Sequence, residues 1–228
     1  MPTSPLLPTA TPLAGPALCP VVLVHGVRTS SAIWAEQVAA LTRLGHPFAT
    51  VDLPGHGTRT DERFTLDSAM AAIDDAVRSL PQPPLLVGLS LGGYTSLAYA
   101  ARNSGAVAGV FLSGCSTEIR GWPLRRYRRV SRVVARAMRK ATDGWHVVTD
   151  MLTALHGYSS LTDLRRLPVP LPVWFVNGRW DVLRLGERRL LAARPGARLA
   201  VLDRAGHDVN SHVPATFNRY LLAALRSI

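Results

Sequence analysis

Lysine, cysteine and long hydrophobic runs are scarce in this sequence of 228 residues. Lys140 is the only lysine among 26 basic residues, so arginine supplies nearly all of the positive charge. Cys19 and Cys115 are the only cysteines, and both adjoin apolar runs, which predicts free buried thiols rather than a disulfide scaffold. No apolar run approaches the roughly 20 residues that a membrane-spanning helix requires. The sequence therefore indicates a folded protein without disulfides or a transmembrane segment.

The N-terminal segment, residues 1–20, is rich in proline and contains neither lysine nor arginine. It lacks the basic n-region of a secretory signal peptide, so we expect a cytoplasmic protein with a loosely ordered lead-in. The remainder, residues 21–228, is long enough for one domain with a substantial core. The composition of the chain, 47% hydrophobic and 18% charged, is typical of a globular protein.

Most of the net charge of +11 comes from one segment, residues 125–140. This segment holds eight cations and no carboxylate, and on a helical wheel the cations lie opposite Tyr127, Val130 and Val134. The pattern predicts a helix with a basic face. We interpret this face as solvated, and the alternative is a docking surface for an acidic carrier protein or an anionic substrate. A membrane surface is less favoured, as is nucleic acid, because aromatic side chains are not interleaved with the cations.

Short apolar runs alternate along the chain with segments of helical periodicity. Strands are predicted over residues 21–24, 48–53, 85–89, 107–112, 172–176 and 198–202. Helices are predicted from Ser30 or Ser31 to Gly45, and over residues 66–80, 91–102, 187–193 and 213–227. The first helix is expected to bury its apolar residues, Ile33, Trp34, Val38, Leu41 and Leu44. This alternation indicates an α/β fold with a doubly wound, mostly parallel sheet of about six strands. In such a sheet the chemistry gathers at the carboxyl ends of the strands.

The segment Gly88-Leu89-Ser90-Leu91-Gly92 follows a predicted strand and precedes a predicted helix. A G-x-S-x-G pattern in this context predicts a nucleophile elbow, a sharp turn that exposes the serine hydroxyl. Glycines are needed at both ends because a Cβ there would clash with neighbouring backbone. The following helix directs its free N–H groups toward the place where an oxyanion would form.

Other chemically active residues also follow predicted strands. His25-Gly26 follows the first strand, and Asp52-Leu53-Pro54-Gly55-His56-Gly57 closes the second. Asp181 and His207 follow the fifth and sixth strands. With the serine turn, these motifs resemble the α/β-hydrolase superfamily over about residues 21–228, and Ser, Asp, His is the order that this fold uses.

The resemblance also bears on the architecture. It places a small helical lid in the interruption at about residues 116–167, which is short here. The family usually opens with an antiparallel pair of strands, but the proline-rich start leaves little room for them. We therefore expect six strands, all parallel.

The resemblance implies acyl transfer with Ser90 as nucleophile, His207 as general base and Asp181 as the acid that orients the histidine. It implies an oxyanion hole formed by the backbone N–H groups of Val27 and Leu91. Glu118 is the rival for the acid, because some relatives place it one strand earlier.

The other polar candidates have structural interpretations. His25 and His56 are expected to shape their loops rather than to take part in chemistry. Asp208 adjoins His207 in sequence and cannot readily reach its Nδ1. No cofactor is expected, and no metal site either, because H-E-x-x-H is absent and the seven histidines lack ligand spacing.

The substrate is harder to predict. The candidate pocket residues are aromatic: Trp34, Trp122, Tyr127, Trp145, Tyr158 and Trp180. The four in the lid segment either pack lid helices onto the sheet or line a pocket for an apolar substrate, whereas Trp34 and Trp180 lie near the catalytic loops and can border the same pocket. We predict a serine hydrolase that cleaves a carboxylic ester of a hydrophobic acid. The alternatives are a thioesterase, or an acyltransferase or cyclase, acting on a carrier-bound or CoA-bound acyl chain, and, from another class, a non-catalytic ligand-binding protein on the same fold.

Overall fold

Six short strands form one parallel sheet in the computed structural model, which describes residues 18–116, 118 and 145–228. The strands are β1 (Val21–Val24), β2 (Phe48–Val51), β3 (Leu85–Leu89), β4 (Gly109–Ser113), β5 (Val173–Gly178) and β6 (Arg198–Leu202). Their order is β2-β1-β3-β4-β5-β6, and every neighbouring pair is parallel. The prediction of six parallel strands is confirmed.

Helices lie on both faces of this sheet. They are α1 (Ala35–Leu44), α2 (Leu66–Arg78), α3 (Leu91–Arg102), α4 (Trp145–Ala154), α5 (Ser160–Arg166), α6 (Glu187–Ala193), α7 (Val209–His212) and α8 (Pro214–Leu225). The short helix α7 was not predicted, and a 3₁₀ turn, Ser31–Trp34, precedes α1. Within the described ranges, no helix combines the length and the apolar character needed to cross a membrane.

The core consists of two layers, one on each face of the sheet. Alternate residues of a strand point to opposite faces. In β1, Val22 and Val24 pack with residues of α2 and α3, whereas Val21 and Leu23 pack with residues of α1 and α8. All four valine and leucine side chains are fully buried. The continuous apolar run at 21–24 is therefore explained by a strand that is covered on both sides.

Helix α1 corrects one detail of the predicted core. Leu44 is 46% exposed, whereas Gln37 is fully buried. The Gln37 side chain donates to Asn218 Oδ1 at 2.9 Å and to the Asn210 carbonyl at 3.3 Å. A buried amide is tolerated when it is hydrogen-bonded, and these bonds connect α1 to α7 and α8.

Helices α4 and α5 occupy the described part of the predicted lid. Arg63, just before α2, makes a bidentate ion pair with Asp150 of α4, with distances of 2.5 and 2.6 Å. A Cβ on Gly55 would lie 3.1 Å from Val147, so α4 also packs on the loop after β2. These contacts attach α4 to the loop after β2, which is the strand at one edge of the sheet.

The predicted basic helix, residues 125–140, lies outside the described residues. The proposed docking of an acidic carrier protein on that helix therefore remains a prediction.

Candidate active site

Ser90 lies in a sharp turn between β3 and α3. Its φ angle is 54°, a value that non-glycine residues seldom adopt and that strains the backbone. The Ser90 N–H donates to the Ser113 carbonyl at 2.7 Å, which fixes the turn to the end of β4. The G-x-S-x-G pattern thus corresponds to a strand–turn–helix unit with a strained serine at its tip.

The two glycines of the pattern lie against neighbouring backbone. A Cβ on Gly88 would lie 2.6 Å from the carbonyl carbon of Gly92. A Cβ on Gly92 would lie 2.5 Å from the His25 carbonyl oxygen and closer still to that of Val24. Because these neighbours are backbone atoms of the sheet and of α3, moving them aside would cost free energy of folding.

Replacing Gly92 with alanine is therefore expected to destabilise the fold by roughly 2–4 kcal/mol through overpacking. Gly105→Ala is the matched control, because a Cβ at Gly105 would meet no atom within 4 Å. Urea unfolding of both variants measures the difference. Equal free energies of unfolding would contradict the predicted close packing at Gly92.

His207 and Asp181 are in direct contact. The loop after β6 carries His207, and its Nδ1 lies 3.1 Å from Oδ2 of Asp181, which follows β5. The other carboxylate oxygen of Asp181 accepts the Leu183 N–H at 2.8 Å. The Asp181 side chain is fully buried, whereas that of His207 is 34% exposed. A buried carboxylate therefore lies behind an accessible imidazole.

The contact changes the pKa of both groups. Burial by itself raises the pKa of Asp181, but the hydrogen bonds from His207 and Leu183 outweigh burial and hold the pKa below its usual value. Burial lowers the pKa of His207, but the hydrogen bond and charge of Asp181 outweigh it and raise the pKa. The pair therefore favours an ionised Asp181 and a basic imidazole.

The last residue of β4 and the residue after it contact both parts of the site. The Ser113 carbonyl accepts the Ser90 N–H, and a Cβ on Gly114 would lie 2.9 Å from Cε1 of His207. The His207 ring thus lies over the α-carbon of Gly114, whose own N–H donates to Oδ1 of buried Asn177. The structure brings Ser90, Asp181 and His207 to the same end of the sheet.

Two backbone amides adjoin the serine. Leu91 is the first residue of α3, and the first N–H groups of a helix have no partner within it. A Cβ on Gly26 would lie 3.4 Å from the Ser90 Cβ, so the peptide leading from Gly26 to Val27 runs beside the serine. The positions of Leu91 and Val27 are thus compatible with the predicted oxyanion hole.

His25 and His56 have the structural roles that were predicted. The Nε2 of His25 accepts the Leu53 N–H at 3.0 Å, and its Nδ1 lies 2.7 Å from the Gly26 carbonyl. Burial lowers the pKa of His25 to about 4, so the ring is neutral at pH 7. The Nδ1 of His56 lies 3.0 Å from the Pro54 carbonyl, within its own loop. Both rings therefore stabilise the loops after β1 and β2.

Glu118, the rival for the acid, is engaged elsewhere. Its two carboxylate oxygens accept the Leu161 N–H at 2.8 Å and the Ser159 hydroxyl at 3.1 Å. These contacts are at the start of α5, where a carboxylate stabilises the helix N-terminus. Asp208 is the residue that precedes α7. The described partner of His207 Nδ1 is therefore Asp181.

The predicted pocket aromatics have different positions. Trp34 is fully buried and packs on Phe217 with ring centroids 6.1 Å apart, so it belongs to the core beneath α8 rather than to an open pocket. Tyr158 is also buried, and its hydroxyl donates to the Tyr94 carbonyl at 3.2 Å. Trp180, next to Asp181 in sequence, is 67% exposed. The remaining candidates lie outside the described residues: Trp122, Tyr127 and the side chain of Trp145.

The thiols were correctly predicted to be free. Neither Cys19 nor Cys115 is in a disulfide. Cys115 is buried against Gly93 in the first turn of α3, whereas Cys19 is only partly buried. Burial raises the pKa of Cys115 to about 12, which keeps it a neutral thiol.

Comparison with known proteins places this geometry in a family. Residues 21–219 match the model of the alpha/beta hydrolase family. No curated protein matches the chain.

Solved structures share the fold over nearly the whole chain. The bromoperoxidase from Bacillus anthracis is 20% identical with a TM-score of 0.74, and the match covers 91% of this chain and 92% of that one. The monoacylglycerol lipase from Paleococcus ferrophilus is 21% identical with a TM-score of 0.70, covering 91% and 94%. The enol-lactonase from Burkholderia xenovorans LB400 is 22% identical with a TM-score of 0.72, covering 92% of each chain.

Proposed function

Because the chain belongs to the α/β hydrolase family, we propose that it is a serine hydrolase that cleaves a carboxylic ester of a hydrophobic acid through an acyl-enzyme. The observation that carries this proposal is the 3.1 Å contact between Nδ1 of His207 and the buried carboxylate of Asp181. The contact lies beside a segment, Ser113 and Gly114, that also holds Ser90 in its strained turn. A serine, a histidine and a buried carboxylate, all at the carboxyl ends of the strands of one sheet, are the parts that acyl transfer requires.

The proposed reaction has two halves. In the first, Ser90 Oγ attacks the ester carbonyl while His207 Nε2 accepts the hydroxyl proton, and the oxyanion binds the N–H groups of Val27 and Leu91. The intermediate then breaks its bond to the alcohol oxygen, which takes the proton from His207. In the second half, His207 deprotonates a water molecule that attacks the acyl-serine, and the acid leaves as Ser90 regains its proton.

Asp181 supports both halves through His207. Its carboxylate accepts the Nδ1–H, which leaves the lone pair of Nε2 free to act as a base. Because its negative charge raises the pKa of His207, it also stabilises the imidazolium that forms in each transition state.

The preference for a hydrophobic acid is proposed from the loop that carries Asp181. Trp180, Val182 and Leu185 are all more than half exposed, and Leu183 is 40% exposed. An exposed cluster of large apolar side chains often marks a binding surface. These side chains directly flank Asp181, the proposed carboxylate of the triad. An acyl chain that enters beside Asp181 would cover these side chains.

We expect p-nitrophenyl esters to be hydrolysed with a kcat/KM that rises from the acetate to medium-length acyl chains. Burial of each additional methylene group contributes about 0.8 kcal/mol at most, so several carbons correspond to a rise of roughly tenfold or more. The same panel should contain acyl-thioesters, and intact-mass measurement should detect an acyl adduct.

The panel also distinguishes the alternatives. Faster turnover of thioesters would favour a thioesterase, and an adduct that passes only to a non-water nucleophile would favour an acyltransferase. Absence of both turnover and adduct would contradict the proposal and favour a ligand-binding protein.

A further inference from the structure

The loop that carries His207 packs its backbone against the end of β5, because a Cβ on Gly178 would lie 2.5 Å from the Ala205 carbonyl oxygen. It joins β6 to α7 and contains Arg204, a non-glycine residue with a φ of 59°. The Ala205 carbonyl accepts the Trp180 N–H at 2.9 Å, and the His207 carbonyl accepts the Val209 N–H at 3.0 Å. Asp181 holds one edge of the partly exposed His207 ring, and the position of the rest of the ring depends on how firmly this loop is held.

A second histidine bonds the loop next to His207. Nδ1 of His212, the last residue of α7, accepts the Gly206 N–H at 3.0 Å. Within residues 18–116, 118 and 145–228, it is the only side chain that bonds the backbone of residues 205–208. Because a protonated imidazole has no acceptor nitrogen, this bond requires a neutral His212 with its hydrogen on Nε2.

The helix that presents His212 is itself anchored. Asn210 of α7 is fully buried, and its amide donates to the Ile33 carbonyl at 2.9 Å and, at 3.4 Å, to Oε1 of Gln37. Gln37 in turn donates to Asn218 of α8. His212 therefore connects the loop of His207 to a helix that is fixed to the core.

We propose that His212 is a positioning residue that holds Gly206, and through it the backbone of His207, so that the imidazole meets both Asp181 and Ser90. This inference rests on the proposed serine hydrolase. The physical reason is that a base acts only within hydrogen-bond reach of the proton it removes, and small displacements cost much of its effect. Removal of one restraint on the neighbouring peptide lets the ring sample unproductive positions.

The test compares His212→Ala with His212→Asn. Oδ1 of asparagine is attached to Cγ as Nδ1 of histidine is, so asparagine can accept the Gly206 N–H whereas alanine cannot. His46→Ala is the matched control, because Nδ1 of His46 also lies 2.9 Å from a backbone atom, the Cys19 carbonyl oxygen, but at the opposite end of the sheet. Two rates are measured: turnover of a p-nitrophenyl ester, and phosphonylation of Ser90 by a fluorophosphonate.

The alanine variant is expected to lose roughly three- to tenfold in kcat, the effect of one hydrogen bond, with KM unchanged. Phosphonylation of Ser90 should slow by a similar factor. The asparagine variant should recover both rates to within about twofold of the wild type, and His46→Ala should match the wild type throughout. If His212 only stabilised the fold, its replacement would not lower kcat selectively while KM stayed unchanged.

Equal rates for the alanine variant and the wild type would overturn the positioning role while leaving the hydrolase proposal intact. A loss that asparagine does not restore, or a change confined to KM, would overturn it as well. If the wild type hydrolyses no ester, the proposed function fails, and the phosphonylation rates still decide the role of His212. If Ser90 is not phosphonylated at all, there is no activated nucleophile and the positioning role is also overturned.

Discussion

Replacing Ser90 with alanine is expected to abolish ester turnover, with kcat lower by roughly 10⁵–10⁶-fold. Without Oγ no acyl-enzyme can form, and only the oxyanion-binding amides and substrate binding remain. Alanine adopts the φ of 54° with about the same strain as serine, so the fold should be retained. Initial rates on the best p-nitrophenyl ester, together with thermal unfolding, measure both effects.

Ser96 provides the matched control for this prediction. It lies in α3, fully buried, within two helical turns of Ser90. Ser96→Ala should keep full activity, and a fluorophosphonate should label Ser90 alone in intact-mass and peptide analysis. Substantial turnover by the Ser90→Ala variant, or labelling of another serine, would contradict the assignment of the nucleophile.

Two element ends that proline or glycine marks were predicted accurately. β1 begins directly after Pro20, and α1 ends directly before Gly45, whose φ of 76° favours glycine. The strand predicted over residues 48–53 is shorter, because Asp52 and Leu53 leave the sheet to bond other loops. The Asp52 carboxylate accepts the N–H groups of Ser31 and Thr58, and the Leu53 N–H donates to His25. Such long-range bonds leave no local trace in the sequence.

The burial of α1 was predicted less well for a related reason. Hydrophobicity alone favoured Leu44 for the core, but Gln37 lies on the same helical stripe as Trp34 and Leu41, which are fully buried. Its burial depends on Asn218, a partner far along the chain. A polar residue on an apolar stripe was the signal that could have identified this contact.

The positions of the candidate triad followed from topology, because each residue comes after a strand of a parallel sheet. The supporting residues did not follow from it. Gly114 and Asn177 matter only because β4 and β5 are neighbours, and His212 matters only because α7 turns back over the loop of His207. Sequence reasoning identifies groups that carry chemistry by type, whereas groups that hold them in place are recognised by contact.

Replacing Asp181 with asparagine is expected to lower kcat by roughly 10³–10⁴-fold with little change in KM. An amide can donate to Nδ1 of His207 and so favours the wrong tautomer, and it cannot stabilise the imidazolium. The pH profile should change as well. Because Asp181 raises the pKa of His207, its loss leaves burial to lower that pKa, and the acidic limb of kcat/KM should shift to lower pH.

Glu118→Gln is the control that decides between the two acids. Glu118 bonds the start of α5 rather than His207, so its variant should retain kcat and the acidic limb of the wild type while losing a little stability. The measurement is the pH dependence of kcat/KM for the wild type and both variants on one p-nitrophenyl ester. If Glu118→Gln lost activity and Asp181→Asn kept it, the acid would lie after β4, and the 3.1 Å contact of His207 with Asp181 would have no part in the reaction.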